Sequence, residues 1–207
     1  MQNFDFCSPT ELVFGRGVET EIGTRLARRF PGGKVFLVYG GGSIKRTGLY
    51  DRVKQSLLDA GLSVREKGGV HPNPEVGFIR ELIAEAREWR PDVLLAVGGG
   101  SVIDTVKAAS MGIPYDGDVW DFFIGRAVCE KATPISVILT IPAAGSELSM
   151  RVVVTNGEKK LGTASQHIRS FMSLIDPELF FTLPAVQAAS GVVDMMSHIM
   201  ERYFTNN

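Results

Sequence analysis

Short apolar runs alternate along this chain with stretches whose apolar positions recur every three or four residues. VFLVY (35–39) is β-branched and aromatic, ends in glycines, and predicts a buried strand. Leu49, Val53 and Leu57 follow at i, i+4 and i+8, one face of a helix. LSVRE (62–66) predicts a second strand. Val76, Ile79, Leu82, Ile83 and Ala86 mark another amphipathic helix behind the stiff turn Pro72-Asn73-Pro74. VLLAV (93–97) predicts a third strand, which runs through Gly98-Gly99-Gly100-Ser101 into a helix reaching Met111. ISVILT (135–140), RVVVT (151–155) and FMSLI (171–175) complete the set. The first 15 residues predict a short strand pair, with Phe4, Phe6, Leu12 and Phe14 as its apolar contacts.

Strands alternating with helices predict an α/β fold whose mostly parallel sheet is covered on both faces. The tail differs. Beyond 181 no strand signal remains; Thr182 as N-cap with Pro184 in the first turn predicts one helix, and a second is expected over 191–204. The expected division is an α/β unit over 1–181 and the first helices of an all-α unit over 182–207.

Composition narrows the classes. With 22 Lys+Arg against 23 Asp+Glu the chain carries no field to hold a phosphate polymer or an anionic membrane, so nucleic acid is not an expected partner. No apolar run approaches the length that crosses a bilayer, and the N-terminus lacks the pattern of a signal peptide. Cys7 and Cys129 fit no C-x-x-C spacing and read as reduced thiols. These features together suggest a cytoplasmic protein.

Candidate chemistry gathers where predicted strands end. Gly98, Gly99, Gly100 and Ser101 follow a buried strand and open a helix, so the backbone can approach a ligand and aim free N–H groups at a phosphate. The plain alternative is a tight turn needing positive φ. Gly40, Gly41, Gly42 and Ser43 repeat the arrangement after the strand at 35–39. Neither cluster matches G-x-G-x-x-G or the P-loop. No acidic residue ends that strand to grip a ribose diol; Ser43, Lys45 and Arg46 instead suit a 2′-phosphate, or form an ordinary solvated helix start. Asp194 and His198, at i and i+4, suit one divalent ion or a surface ion pair, and His71 and His167 lie on no neighbouring predicted helix. Thr140 stands at a strand's carboxyl edge, near any ligand bound there, or in a plain connection.

The ordered set SPTELVFGRG, GGGSIKRTGLYD, HPNP, AVGGGSVIDTVKA, LTIPAAGSELS, IDPELFFTLP and GVVDMMSHIMERYF resembles the iron-containing (group III) alcohol dehydrogenase family, with the flavour of its butanol-dehydrogenase-like, NADPH-using branch. The resemblance implies a Rossmann-like nucleotide-binding domain followed by a helical metal-binding domain, acting on a short-chain alcohol or aldehyde with NADP (or NAD) and Fe²⁺ (or Zn²⁺), in a homo-oligomer. Gly98, Gly99, Gly100 and Ser101 would bind the pyrophosphate with Asp104 close by. Gly41, Gly42 and Ser43 would meet the adenosine ribose, Asn73 and Lys160 would lie along the cofactor, and Thr140 and Ser149 would approach the nicotinamide. Asp194 and His198 match the first two metal ligands, whose histidine partners come in that family from helices beyond position 207. The chain departs from the family pattern at Ala144, where threonine is common and a cofactor contact would be lost, and at Ser170, where proline is common and a looser turn is expected. Dehydroquinate synthase and glycerol or glycerol-1-phosphate dehydrogenases look similar around the GGGS turn, so a polyol (phosphate) dehydrogenase is one alternative. A non-catalytic NADP-binding module is the other.

Overall fold

In a computed structural model, residues 7–205 are described. The elements are β1 (Glu11–Phe14), α1 (Ile22–Arg29), β2 (Lys34–Tyr39), α2 (Ser43–Arg46), α3 (Leu49–Asp59), β3 (Ser63–Lys67) and α4 (Val76–Trp89). After these come β4 (Val93–Gly98), α5 (Gly100–Gly112), β5 (Ile135–Leu139), β6 (Arg151–Asn156), β7 (Lys159–Ala164), β8 (Met172–Ile175) and α6 (Ala185–Phe204). Six strands form one sheet in the order β1-β8-β5-β4-β2-β3, and every pair in it is parallel.

The period of two along each strand sorts its side chains into two cores. Phe36, Val38, Leu94 and Ala96 face α4 and α5, whereas Val35, Leu37, Val93, Leu95 and Val97 face α1 and α3. This two-sided burial explains why β2 and β4 read as unbroken apolar runs. Each buried side chain of this size contributes about 1.5–3 kcal/mol relative to exposure, so the two central strands anchor the sheet. α5 is apolar on nearly every side because it lies between β4 and β6, and its residues from Val102 to Gly112 are almost all buried.

Four expectations need correction. Of the opening strand pair, the first member lies outside the described residues with Phe4 and Phe6, and the second is β1, an edge strand running parallel to β8 in which Val13 faces inward while Leu12 and Phe14, the expected contacts, are exposed. RVVVT does not join the parallel sheet. β6 pairs antiparallel with β7 in a separate hairpin turned at Gly157 (φ 59), and Val152 and Val154 are buried against the α4–α5 side. β7 (KKLGTA) is too polar to announce itself as a strand. The tail holds a single 20-residue helix, α6, with Pro184 at its N-cap, while Thr182 ends a 3-10 turn and its hydroxyl donates to the Leu179 carbonyl. Gly191 interrupts nothing there: a Cβ at that position would stand 2.6 Å from the Pro142 carbonyl oxygen, so the glycine serves a close approach. Finally, Ser170 tightens its turn. It is buried, its hydroxyl donates to the Glu147 carbonyl and meets Ser173 Oγ at 2.8 Å, and its own carbonyl accepts from Thr10 Oγ1 at 2.7 Å.

The packing of α1 on α3 depends on Gly23. An added Cβ would fall 1.8 Å from the Ser56 carbonyl oxygen, which is backbone and cannot swing aside. Gly23→Ala is therefore expected to lower unfolding stability by about 1–3 kcal/mol in urea titration, while Gly61→Ala, strained only through its φ of 75, should cost less.

Candidate functional site

The chain leaves β2 for β3 on one side of the sheet and then places β4 on the other, so the connections diverge between β2 and β4. In open α/β sheets ligands bind beyond the carboxyl ends of strands at such a switch point. Both glycine turns sit there, one after each of the two strands, and a cleft of about 1290 Å³ opens between them.

Gly99 caps α5 from an extended conformation (φ −90, ψ −169), and its carbonyl accepts from Val102 and Ile103 at 3.0 and 3.1 Å. No side chain caps the helix, which leaves the N–H groups of its first residues, Gly100 and Ser101, without intrahelical partners. Gly42 opens α2 in the same uncapped way, in the left-handed region at φ 102. A Cβ added at Gly41, Gly42 or Gly100 would meet no atom within 4 Å, so a cradle exists in front of these turns that the protein itself does not fill. The partial positive charge of the α5 N-terminus and the free amides suit an anionic bridge such as a pyrophosphate.

Of the residues singled out from the sequence, Gly41, Ser43, Asn73, Gly98, Gly99, Gly100 and Ser101 line this cleft. Asp104, Thr140, Lys160 and Asp194 line it as well. Lys160 Nζ donates to Asn73 Oδ1 at 2.8 Å, which links the β6–β7 hairpin to the HPNP turn, where Asn73 adopts φ 58. Thr140 N–H donates to the Gly98 carbonyl at 3.1 Å and so joins the two strand ends. Ala144 lines the cleft without a donor. Gly42, Ser149 and His198 are not among the lining residues; the Ser149 hydroxyl accepts from the Arg151 N–H at 2.9 Å. The two basic residues of α2 separate: Arg46 lines the cleft, whereas the Lys45 ammonium lies over the rings of Tyr39 and Tyr50, 5.1 and 4.7 Å from their centroids.

The Asp104 carboxylate accepts from Ser146 Oγ at 2.6 Å and from the Val153 N–H at 3.0 Å. Its burial raises the carboxyl above its ordinary value, and those two donors oppose the rise. Two further residues escaped sequence reasoning. Glu19, nearly inaccessible to solvent, accepts from Arg52 at 3.0 Å on the cleft's far wall. Lys107, buried behind the cleft, was visible only as a lysine inside an otherwise apolar helical run.

The donor set for a metal is incomplete. His198 Nε2 stands 3.6 Å from Asp194 Oδ1, both side chains are about half exposed, and among the described residues no group of three His, Cys, Asp or Glu could hold an ion. Two donors on one helical turn leave most of a divalent ion's coordination shell to water, so these residues alone do not fit a metal centre.

An α/β domain that presents uncapped amides at a switch point is a phosphate-binding nucleotide domain in general terms. Residues 9–177 match the family description "Iron-containing alcohol dehydrogenase", and the chain belongs to that family. It is 46% identical to a probable NADH-dependent butanol dehydrogenase 2 of Bacillus subtilis, over 100% of this chain and 53% of that protein. It is 36% identical to the NADPH-dependent aldehyde reductase YqhD of Escherichia coli, over 99% of this chain and 53% of that protein. The solved NADH-dependent butanol dehydrogenase A of Thermotoga maritima superposes with a TM-score of 0.95 at 44% identity, covering 99% of this chain and 52% of that one. The chain thus spans about half the length of the curated relatives it matches. The family's description names iron, and these relatives are described as NADH- or NADPH-dependent.

Because a Cβ at Gly100 meets only open cleft, Gly100→Val is expected to shift unfolding stability by no more than about 1 kcal/mol. The same change should weaken binding of NADPH about tenfold or more, read by the nucleotide's fluorescence on titration.

Proposed function

We propose that this chain carries the dinucleotide-binding half of an NAD(P)-dependent alcohol dehydrogenase or aldehyde reductase. The observation that supports it most is the pair of uncapped, glycine-opened turns facing one cleft at the switch point. When bound, the nicotinamide would supply the hydride to the carbonyl carbon of a short-chain aldehyde, and the alkoxide so formed would take a proton from solvent to give the alcohol. This chain's residues bind and orient the cofactor. Gly98, Gly99, Gly100 and Ser101 would hold the pyrophosphate, Gly41, Gly42 and Ser43 the adenosine ribose, Asn73 and Lys160 would lie along the cofactor, and Thr140 would approach the nicotinamide side. Ser149 contributes through the backbone of its loop. Residues 1–181 are the dinucleotide unit, and 182–207 belong to a helical unit in which Asp194 and His198 are two of the family's metal donors. A cytoplasmic setting fits the two free cysteines, and no helix of the described residues is long and apolar enough to cross a membrane.

Arg46 beside Ser43 gives the cleft a guanidinium where a 2′-phosphate would lie, so NADP(H) is the assigned coenzyme. Arg46→Ala is expected to weaken NADPH about tenfold and leave NADH within about twofold, in parallel calorimetric titrations. Equal losses for both would remove the assignment. The two-donor metal set favours a second reading for the chain by itself, an NADP-binding module without turnover. NADPH binding without aldehyde-dependent oxidation at 340 nm is its expected signature.

α6 carries Val192, Val193, Met196, Ile199, Tyr203 and Phe204 exposed to solvent. Such an apolar face drives association. The isolated chain is expected to self-associate or to be poorly soluble, and a monodisperse monomer by light scattering would contradict this.

A further inference from the structure

Among the described residues Lys107 is the one fully buried cation, with 0% of its surface exposed. It lies on α5, two turns beyond the glycines that open the helix. Its Nζ donates to the carbonyls of Ser146, Ser149 and Arg151 at 2.5, 2.8 and 3.0 Å, and it stands 3.1 Å from Ser146 Oγ. These acceptors run from Ser146, in the cleft-lining stretch after β5, through Ser149 to Arg151, the first residue of β6. Asp104, one turn earlier on α5, takes the Ser146 hydroxyl and the Val153 N–H. Two side chains of one helix therefore grip the loop at both of its ends.

Desolvating an ammonium is costly, and a cage of three carbonyls is a chemical answer to that cost without a carboxylate in direct contact. The ammonium itself does not reach the cleft, since Lys107 is not among its lining residues, whereas Ser146 of its cage is. The structural consequence is a shared frame: the helix whose first amides face the cleft also fixes the opposite, loop-built wall.

We infer that Lys107 is a positioning residue of the dinucleotide site, holding residues 143–151 against α5 so that loop and phosphate turn form one surface. The inference rests on the reading that the cleft takes a dinucleotide. Three charged groups face the ammonium besides the carbonyls: Asp104 from its own helix, Glu147 from the loop, and Arg169 from the segment preceding β8. Burial pushes Lys107 down to about 8, aided by Arg169 and opposed by the two carboxylates. Below that pH the cage holds an ammonium with three protons to donate. Above it the amine has one donor fewer and turns a lone pair toward carbonyl oxygens, so the grip weakens.

The test compares the wild-type chain with Lys107→Met and Lys107→Arg. In Lys107→Met three carbonyls lose their donor, and amide hydrogen exchange over 143–151 is expected to rise about tenfold or more while β4 stays protected. NADPH should bind about tenfold more weakly to the folded variant. Wild-type affinity should be level up to about pH 8 and decline above it, a step absent from Lys107→Met. Lys107→Arg, cationic throughout, should recover affinity at pH 7 and show no step. Support of the fold alone would lower the melting temperature but leave the Kd of the folded protein and its pH profile unmoved. If Lys107→Met does not fold, Ser146→Ala removes only the hydroxyl between Lys107 and Asp104, and the same exchange and affinity changes are expected at smaller size. A variant that binds NADPH with the wild-type Kd and pH profile overturns the inference. A wild-type chain that binds no dinucleotide overturns instead the functional reading on which it stands.

Discussion

A parallel sheet delivers every strand at the same edge, and the backbone N–H groups that follow those ends must find partners. In this chain the turns after β2 and β4 leave theirs open, because glycine supplies no side-chain cap and each helix begins without one. No α-helix of the described residues carries a side-chain cap, so what sets these two turns apart is glycine facing an open cleft at the strand ends. Donors left free of the protein's own acceptors, set at the amino end of a helix, form a region of positive potential that suits an anion. The cleft, its glycine lining and its orientation all follow from that single feature.

The walls are held by a different means. Along the sheet, apolar burial on both faces sets strand order and register. Around the cleft, the hairpin, the HPNP turn and the loop after β5 are tied by charge-assisted bonds: Lys160 to Asn73, Asp104 to Ser146 and Val153, Lys107 to three carbonyls. Such bonds are directional and, where buried, expensive to break. They suit a surface that must keep its shape for a polar ligand, whereas an apolar core alone would tolerate sliding.

The central strands were legible because they are buried on both sides and therefore apolar at every position. β7 was not, since its partner β6 supplies the buried residues and its own side chains remain wet. At the sheet edge the expected contacts Leu12 and Phe14 face outward, and Val13 between them turns inward. The sequence suggests two helices at the end, but Gly191 permits a close approach to Pro142 without breaking the span, and Pro184, expected in a first turn, stands at the N-cap of the one helix. Among candidate site residues, those tied to glycine turns were readable from local chemistry, whereas Lys107 and Glu19 become meaningful only when distant segments meet. Ser149, expected near the nicotinamide, lies in the loop before β6, where its hydroxyl accepts from the neighbouring backbone.

The direct measurement is an amide-resolved NMR titration of the ¹⁵N-labelled chain with a nicotinamide dinucleotide. The account predicts the largest shifts at Gly41–Ser43 and Gly99–Ser101, saturating together with one dissociation constant. Shifts confined to other segments, or saturation of the two turns at separate constants, would contradict it.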